Sequence, residues 1–298
     1  MTLNEAIKTM TDKIVSVLAD NKPTIYLFGS VALGDFKLGW SDIDIAVLTE
    51  HEITEQQADT LVGLRQTMLE RYPGNPYFRL FEGGMLSANA FLNGKNERTV
   101  YWGTSGQRIT DNWQMGSFGM AELLDGGILV CGDDVRHKMT CPTVAQMRDD
   151  IAHHVQAVRK NGDSVGWLLD IARGIYTLRT GKVIAKTTAG EWALENGLCP
   201  DPDAMQKAIQ IRKDPAKYST DDKRIEAAVV GRFTDVIDAE FVKTIGRFAD
   251  TELNHMNIPF NDLSLIRNKD GSAVYVGVAD DDYGKLKMNW GRCEDFEK

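Results

Sequence analysis

The chain has 298 residues, 43 % hydrophobic and 26 % charged, with a formal net charge of −9. This is length enough for two compact domains of ordinary globular composition. No apolar run approaches the roughly 20 residues that span a bilayer, and the first residues lack a signal-peptide core, so a cytoplasmic protein with no membrane partner is expected. The acidic balance argues against a nucleic-acid partner, which needs a basic stripe, and is compatible with a small cationic substrate. The four cysteines are far apart with no C-x-x-C pair and read as reduced, packed thiols. Adjacent His153 and His154 point about 100° apart on a helix, which makes them poor joint metal ligands.

In chain order, Leu3, Ile7, Met10, Ile14 and Val17 recur at helical spacing, so an amphipathic helix opens the chain and ends at Asn21 to Pro23. Thr24 to Phe28 reads as a buried strand broken by Gly29-Ser30. Asp42 to Leu48 is a second strand, with Ile43, Ile45 and Val47 on one face and Asp42, Asp44 and Ala46 on the other. Thr54 with Gln57 is a capping box that opens a helix through Leu69. Pro73 to Pro76 is a loop, Phe78 to Leu86 a third strand, and Thr99 to Trp102 and Gly127 to Cys131 are further apolar segments. From Pro142 the pattern turns helical. Thr143 with Gln146 caps a helix to about Lys160, a second runs from near Asp163 to Thr180 with Gly181 at its end, and Thr188 with Glu191 caps a third. Asp203 to Arg212 and Ser219 to about His255 complete a bundle. Asn268 to Gly271 is a turn signal followed by alternating Val274, Val276 and Val278, then an acidic cluster at Asp280 to Asp282. The expected fold is an α+β domain with a mixed β-sheet over residues 1–145, then an α-helical bundle domain over 146–298 with a small C-terminal β-hairpin extension from about 256.

The chemistry is concentrated in Leu27 to Leu48, where a strand ends in Gly29-Ser30 and the next begins Asp42-Ile43-Asp44. Residues i and i+2 of a strand share a face, so the two carboxylates converge, and a hard divalent cation relieves their repulsion. Glycine lets a polyphosphate approach the backbone, and the following amides with the Ser30 hydroxyl can donate to phosphate oxygens. Charge inside an apolar strand is costly, which favours a task for it over a solvated strand end.

Gly-Ser, eleven residues and Asp-x-Asp, with Gly34 and Ser41 between, resembles the motif of the polymerase-β-like nucleotidyltransferases. Arg173 to Lys186 with Thr180-Gly181-Lys182 inside it, followed by Glu191-Trp192-Ala193, is similar to the aminoglycoside adenylyltransferases that act on streptomycin and spectinomycin. The resemblance implies that Asp42 and Asp44 bind Mg²⁺, and that Gly29, Ser30 and Ser41 touch the phosphates of ATP. It implies that Arg173 and Lys186 meet those phosphates from the second domain, across a cleft between the two, and that Glu82 is the base that deprotonates the attacking hydroxyl. Asp163 corresponds to an acid that meets the aminocyclitol, and Trp102 and Trp113 are candidates to stack on a sugar ring. His154 and Arg159 stand where streptomycin-handling relatives carry Trp and Asp, which favours spectinomycin. A monomer is implied as well. The same chemistry on a lincosamide, a protein side chain or RNA, and a catalytically silent nucleotide sensor, are the alternatives.

Overall fold

The computed structural model describes residues 1–103, 106–218, 224–255, 263–267, 273–277 and 285–287, with side chains described through 243 except that of Asn161. The chain divides into two compact units, Met1–Cys141 with residues 212–217, and Pro142–Ile211 with residues 218–298.

In the first unit, α1 (Leu3–Val17) is opened by a Thr2–Glu5 capping box and buries Ala6, Ile7, Met10, Thr11 and Ile14, one stripe at helical spacing. There follow β1 (Thr24–Leu27), a single turn α2 (Gly29–Ala32), β2 (Ile43–Thr49), α3 (Glu55–Arg71), β3 (Phe81–Ser87), α4 (Ala88–Asn93), β4 (Thr99–Gly103), β5 (Gly106–Thr110), α5 (Ser117–Gly126) and β6 (Ile128–Cys131). The six strands form one sheet in the order β5-β4-β3-β2-β1-β6. Only β2 and β3 run parallel, and every other pairing in this sheet is antiparallel. One face packs Ile43, Ile45, Val47, Met85 and Val100 against Met10 and Ile14 of α1 and Leu61 and Met68 of α3. The other face packs Tyr26, Phe28, Ala46, Leu48 and Leu86 against Ala90 of α4 and Leu123 of α5. Apolar cover on that second face therefore spans the half of β2 beyond Ala46. Asp44 and Asp42 occupy its beginning.

In the second unit the helices are α6 (Val144–Asn161), α7 (Val165–Thr180), α8 (Lys186–Glu195), α9 (Pro202–Lys213) and α10 (Ala227–His255). The end of α9, from Arg212, belongs to the first unit. Helix α7 packs against α6, α8 and α10, which explains why it buries Val165, Leu168, Leu169, Ile171, Ala172, Ile175 and Leu178 around most of its circumference. Beyond α10, β7 (Leu263–Arg267), β8 (Ala273–Gly277) and β9 (Lys285–Lys287) pair antiparallel. The turn expected at Asn268 to Gly271, Val278 and the acidic cluster at Asp280 to Asp282 lie outside the described residues. Among the described residues no helix is long and apolar enough to cross a membrane.

Several local expectations change. Helix α8 starts at Lys186, with Ala185 as an N-cap that makes no side-chain hydrogen bond, so Thr188 lies inside the helix and forms no capping box with Glu191. Ser164, whose Oγ accepts from Trp167 N at 3.3 Å, caps α7, so the helix proper begins at Val165. The third strand begins at Phe81 because Phe78 to Leu80 form a 3₁₀ turn. Trp102 is not a stacking surface for substrate: it pairs with Gly83, points into the α1–α3 core at 0 % exposure and donates from Nε1 to Leu61 O at 3.0 Å. Trp102→Ala should therefore cost about 3–5 kcal/mol in denaturant unfolding, against under about 0.5 kcal/mol for an exposed aromatic.

Candidate active site

The end of β1 is tied to the acid strand by Phe28 N donating to Asp44 O at 3.1 Å. Gly29 follows at φ +60°, and a Cβ there would stand 2.1 Å from Asp44 Oδ2. Only glycine therefore serves at this turn, because the backbone is left-handed and the carboxylate lies directly against it. The Ser30 hydroxyl reaches Asp42 O at 3.4 Å, which holds the Gly-Ser turn to the start of β2. Asp42 and Asp44 are half-buried while Ile43 and Ile45 are buried, the alternation expected of one sheet face turned from the core.

Ser41 takes a different place from the one expected. It is buried, and its Oγ accepts from Lys37 N at 3.0 Å and from Arg212 at 3.2 Å. Its hydroxyl braces the loop leading into Asp42. Arg212 also reaches Asp35 Oδ2 at 3.5 Å and lies over the Trp40 ring.

Glu82 stands directly opposite Asp44 in the parallel β2–β3 register, so both side chains share the face that carries Asp42. The Tyr101 hydroxyl donates to Glu82 Oε1 at 2.8 Å. Its ring occupies the space a Gly103 side chain would fill, with a Cβ there 2.5 Å from the ring, and Trp113 fills the corresponding space over Gly84. Trp113 is half-buried, with its ring centroid 6.4 Å from that of Tyr101. Burial and the bond to Glu82 push the Tyr101 phenol up to about 12, so it remains a proton donor at neutral pH. The buried Arg65 donates to Phe81 O, Gly103 O and Gln107 Oε1. Burial lowers its pKa and the charges of Glu82 and Asp42 oppose that shift. A guanidinium remains charged even so, and offsets the acids from behind. Sequence reading missed Tyr101 and Arg65.

In the second unit Arg173 and Lys186 come together on a third residue, Asp170. Arg173 donates to Asp170 Oδ1 at 3.0 Å and Lys186 Nζ to Oδ2 at 2.8 Å. Burial disfavours the Asp170 charge, but Lys186 and Arg173 outweigh burial and hold the carboxyl at about 2. His154 stands beside this cluster. Desolvation depresses its pKa, Asp170 opposes, and Arg173 and Lys186 depress it further. Asp163 is exposed in the α6–α7 connection, with its carbonyl accepting from Ile225 N at 2.9 Å. The signal for Asp170 was its place one helical turn before Arg173.

Among the described residues no group of three His, Cys, Asp or Glu is close enough to hold a metal by itself. Asp42 and Asp44 offer two hard oxygen donors on one face, and Mg²⁺ takes few protein carboxylates, completing its six ligands with waters and substrate phosphates. The donor set fits a magnesium ion that arrives with a polyphosphate.

Residues 11–73, which carry β1, the Gly-Ser turn and β2, match the family model described as nucleotidyltransferase domain. Asp42, Asp44 and their turn thus lie inside the stretch that matches a nucleotidyltransferase domain. Residues 142–235 match a second model, described as aminoglycoside adenylyltransferase, C-terminal domain. With the two matched in succession, the chain belongs to the aminoglycoside adenylyltransferase family, and it is an enzyme. Among solved structures it is similar to a spectinomycin adenyltransferase, AAD(9), from Enterococcus faecialis, described with ATP and spectinomycin. The similarity covers 79 % of this chain and 99 % of that one at 15 % identity and a TM-score of 0.56, and at that identity it bears on the fold. No curated protein matches the chain.

Two outcomes follow from this geometry. Gly29→Ala should lower turnover by about 100-fold or more, measured as pyrophosphate release, because it displaces the Asp44 carboxylate by the order of an ångström. Asp170→Asn should unfold more readily than the wild type. Because the folded Asp170 pKa lies below the ordinary value of about 4, the stability gap is full above about pH 4. It should close as the pH falls through about 2, in denaturant titrations across that range.

Proposed function

We propose that the enzyme transfers AMP from magnesium-ATP to a hydroxyl of an aminocyclitol antibiotic and releases pyrophosphate. The observation that carries this reading is the register that sets Glu82 opposite Asp44, on the face that also bears Asp42, within a chain of this family. Glu82 takes the proton of the acceptor hydroxyl, whose oxygen forms a bond to the α-phosphorus as the bond to the pyrophosphate oxygen breaks. Tyr101 orients Glu82 through its hydrogen bond. Asp42 and Asp44 hold Mg²⁺, which when bound neutralises charge on the phosphates. Gly29 and Ser30 let the phosphates approach the backbone. Arg173 and Lys186 donate to the phosphate oxygens and balance the charge that gathers on pyrophosphate. Lys186 opens α8, whose N-terminus has no capping side chain, an arrangement suited to an anion. In this reading residues 1–145 form the metal and acceptor-activating domain, and residues 146–298 form the phosphate-clamping domain with an added C-terminal β element.

Spectinomycin is the favoured acceptor. Arg159 is paired with Asp238 and His154 stands beside the Asp170 cluster, so these two positions present neither the acid nor the tryptophan expected for streptomycin. The similar solved enzyme is a spectinomycin adenyltransferase. Asp163 and Trp113 are the proposed acceptor contacts, since one is exposed and the other stands beside Tyr101 and Glu82. The enzyme is proposed to work as a cytoplasmic monomer.

The test is pyrophosphate release from magnesium-ATP with spectinomycin, streptomycin or no acceptor. Release should depend on spectinomycin, vanish in Asp44→Ala and fall about 10²- to 10⁴-fold in kcat for Glu82→Gln. Release that ignores the antibiotic, or a Glu82→Gln enzyme with unchanged kcat, contradicts the reading.

A further inference from the structure

Asp170 sits beneath Arg173 and Lys186 in an unequal arrangement. Its side chain is 7 % exposed, whereas that of Arg173 is 13 % and that of Lys186 27 % exposed. The carboxylate is sealed and the cations retain an open side. Each cation takes a different oxygen of the carboxylate, Oδ1 for Arg173 and Oδ2 for Lys186, so a single group fixes both heads side by side.

Stability alone does not account for this. A buried carboxylate is neutralised by one cation, and replacing a buried ion pair by apolar packing is often neutral or better. Two cations converge on this one carboxylate, and two such charges brought together repel, a cost that a shared anion between them offsets. Lys186 is moreover the first residue of α8, where the helix dipole disfavours a cation. A lysine head is a mobile point charge with about 2 kcal/mol of rotamer entropy to lose. The Asp170 carboxylate removes these penalties before any ligand arrives.

We propose that Asp170 is a positioning residue that preorganises Arg173 and Lys186 as a receptor for the polyphosphate of the nucleotide. The inference rests on the reading of those two cations as the phosphate clamp. Asp170 touches no substrate. It fixes the cation heads so that the nucleotide does not have to order them on binding, which is where preorganisation gains affinity.

The test is calorimetric binding of magnesium-ATP and of adenosine to the whole enzyme and to Asp170→Asn, Asp170→Glu, Arg173→Ala and Lys186→Ala, with melting temperatures and the spectinomycin KM alongside. Removing a negative charge beside two cations would by charge alone tighten ATP binding in Asp170→Asn. Positioning requires the reverse: ATP affinity should fall about tenfold, while adenosine affinity and the spectinomycin KM stay put. Asp170→Glu keeps the charge and moves it by about one bond, roughly 1.5 Å. It should fold even where the asparagine variant is too unstable to assay, and should lose ATP affinity in the same way. Asp170→Asn added to the Arg173→Ala/Lys186→Ala double variant should bind ATP no worse than that double variant alone. ATP binding that is unchanged or tighter in both Asp170 variants, with Arg173→Ala and Lys186→Ala impaired, overturns the inference and leaves the clamp standing. Wild-type ATP binding by Arg173→Ala and Lys186→Ala overturns the clamp, and the inference with it.

Discussion

Like charges on one sheet face repel, and the first unit is arranged around that repulsion. Asp44 and Glu82 are register partners on the parallel strands β2 and β3, and Asp42 lies two residues earlier on the same face. Carboxylates at this spacing are tolerated only with positive charge near them. Behind them is Arg65, delivered by α3 and fixed by two backbone carbonyls and Gln107. In front, the open side of the face suits a magnesium ion carried by a polyphosphate. The Gly29 turn lies so close to Asp44 that no side chain fits between, and this closeness would bring a phosphate on the turn within reach of the same acids.

The second unit holds the complementary problem, two cations brought together from α7 and the start of α8, and meets it with a buried carboxylate. Asp170 serves Arg173 and Lys186 as Arg65 serves the acids: a sealed charge of opposite sign stabilises a less deeply buried constellation that would otherwise spread apart. In both units the supporting residue is more deeply buried than the residues it supports. Rigid support of this kind converts chemically suitable side chains into a site with fixed geometry.

The parts legible in the sequence were those fixed by local chemistry. The capping boxes at Thr54–Gln57 and Thr143–Gln146 both form, because capping is decided within four residues. The alternation of β2 reads correctly because Ile43, Ile45 and Val47 leave no doubt which face is apolar. Strand β4 was not legible in the same way. Tyr101 and Trp102 are both large aromatics, and only the pairing of Gly83 with Trp102 and Gly84 with Tyr101 decides which faces the acids. The bracing role of Ser41 was not legible because its partners, Lys37 N and Arg212, include one 171 residues away. Arg65 escaped for the same reason, since its partners lie 16, 38 and 42 residues on. Short elements such as α4 and β5 carry too little periodicity to be seen. Helix α8 was shifted because Thr188 and Glu191 imitate a cap inside a helix that has already begun.

The most direct measurement is product identification by mass spectrometry and NMR after incubating the enzyme with magnesium, spectinomycin and ATP labelled at the α-phosphorus. The account requires the label to appear on spectinomycin as an adenylyl ester of one hydroxyl, in step with pyrophosphate. ATP consumed with the antibiotic unmodified, or label carried instead by protein or RNA, would contradict it.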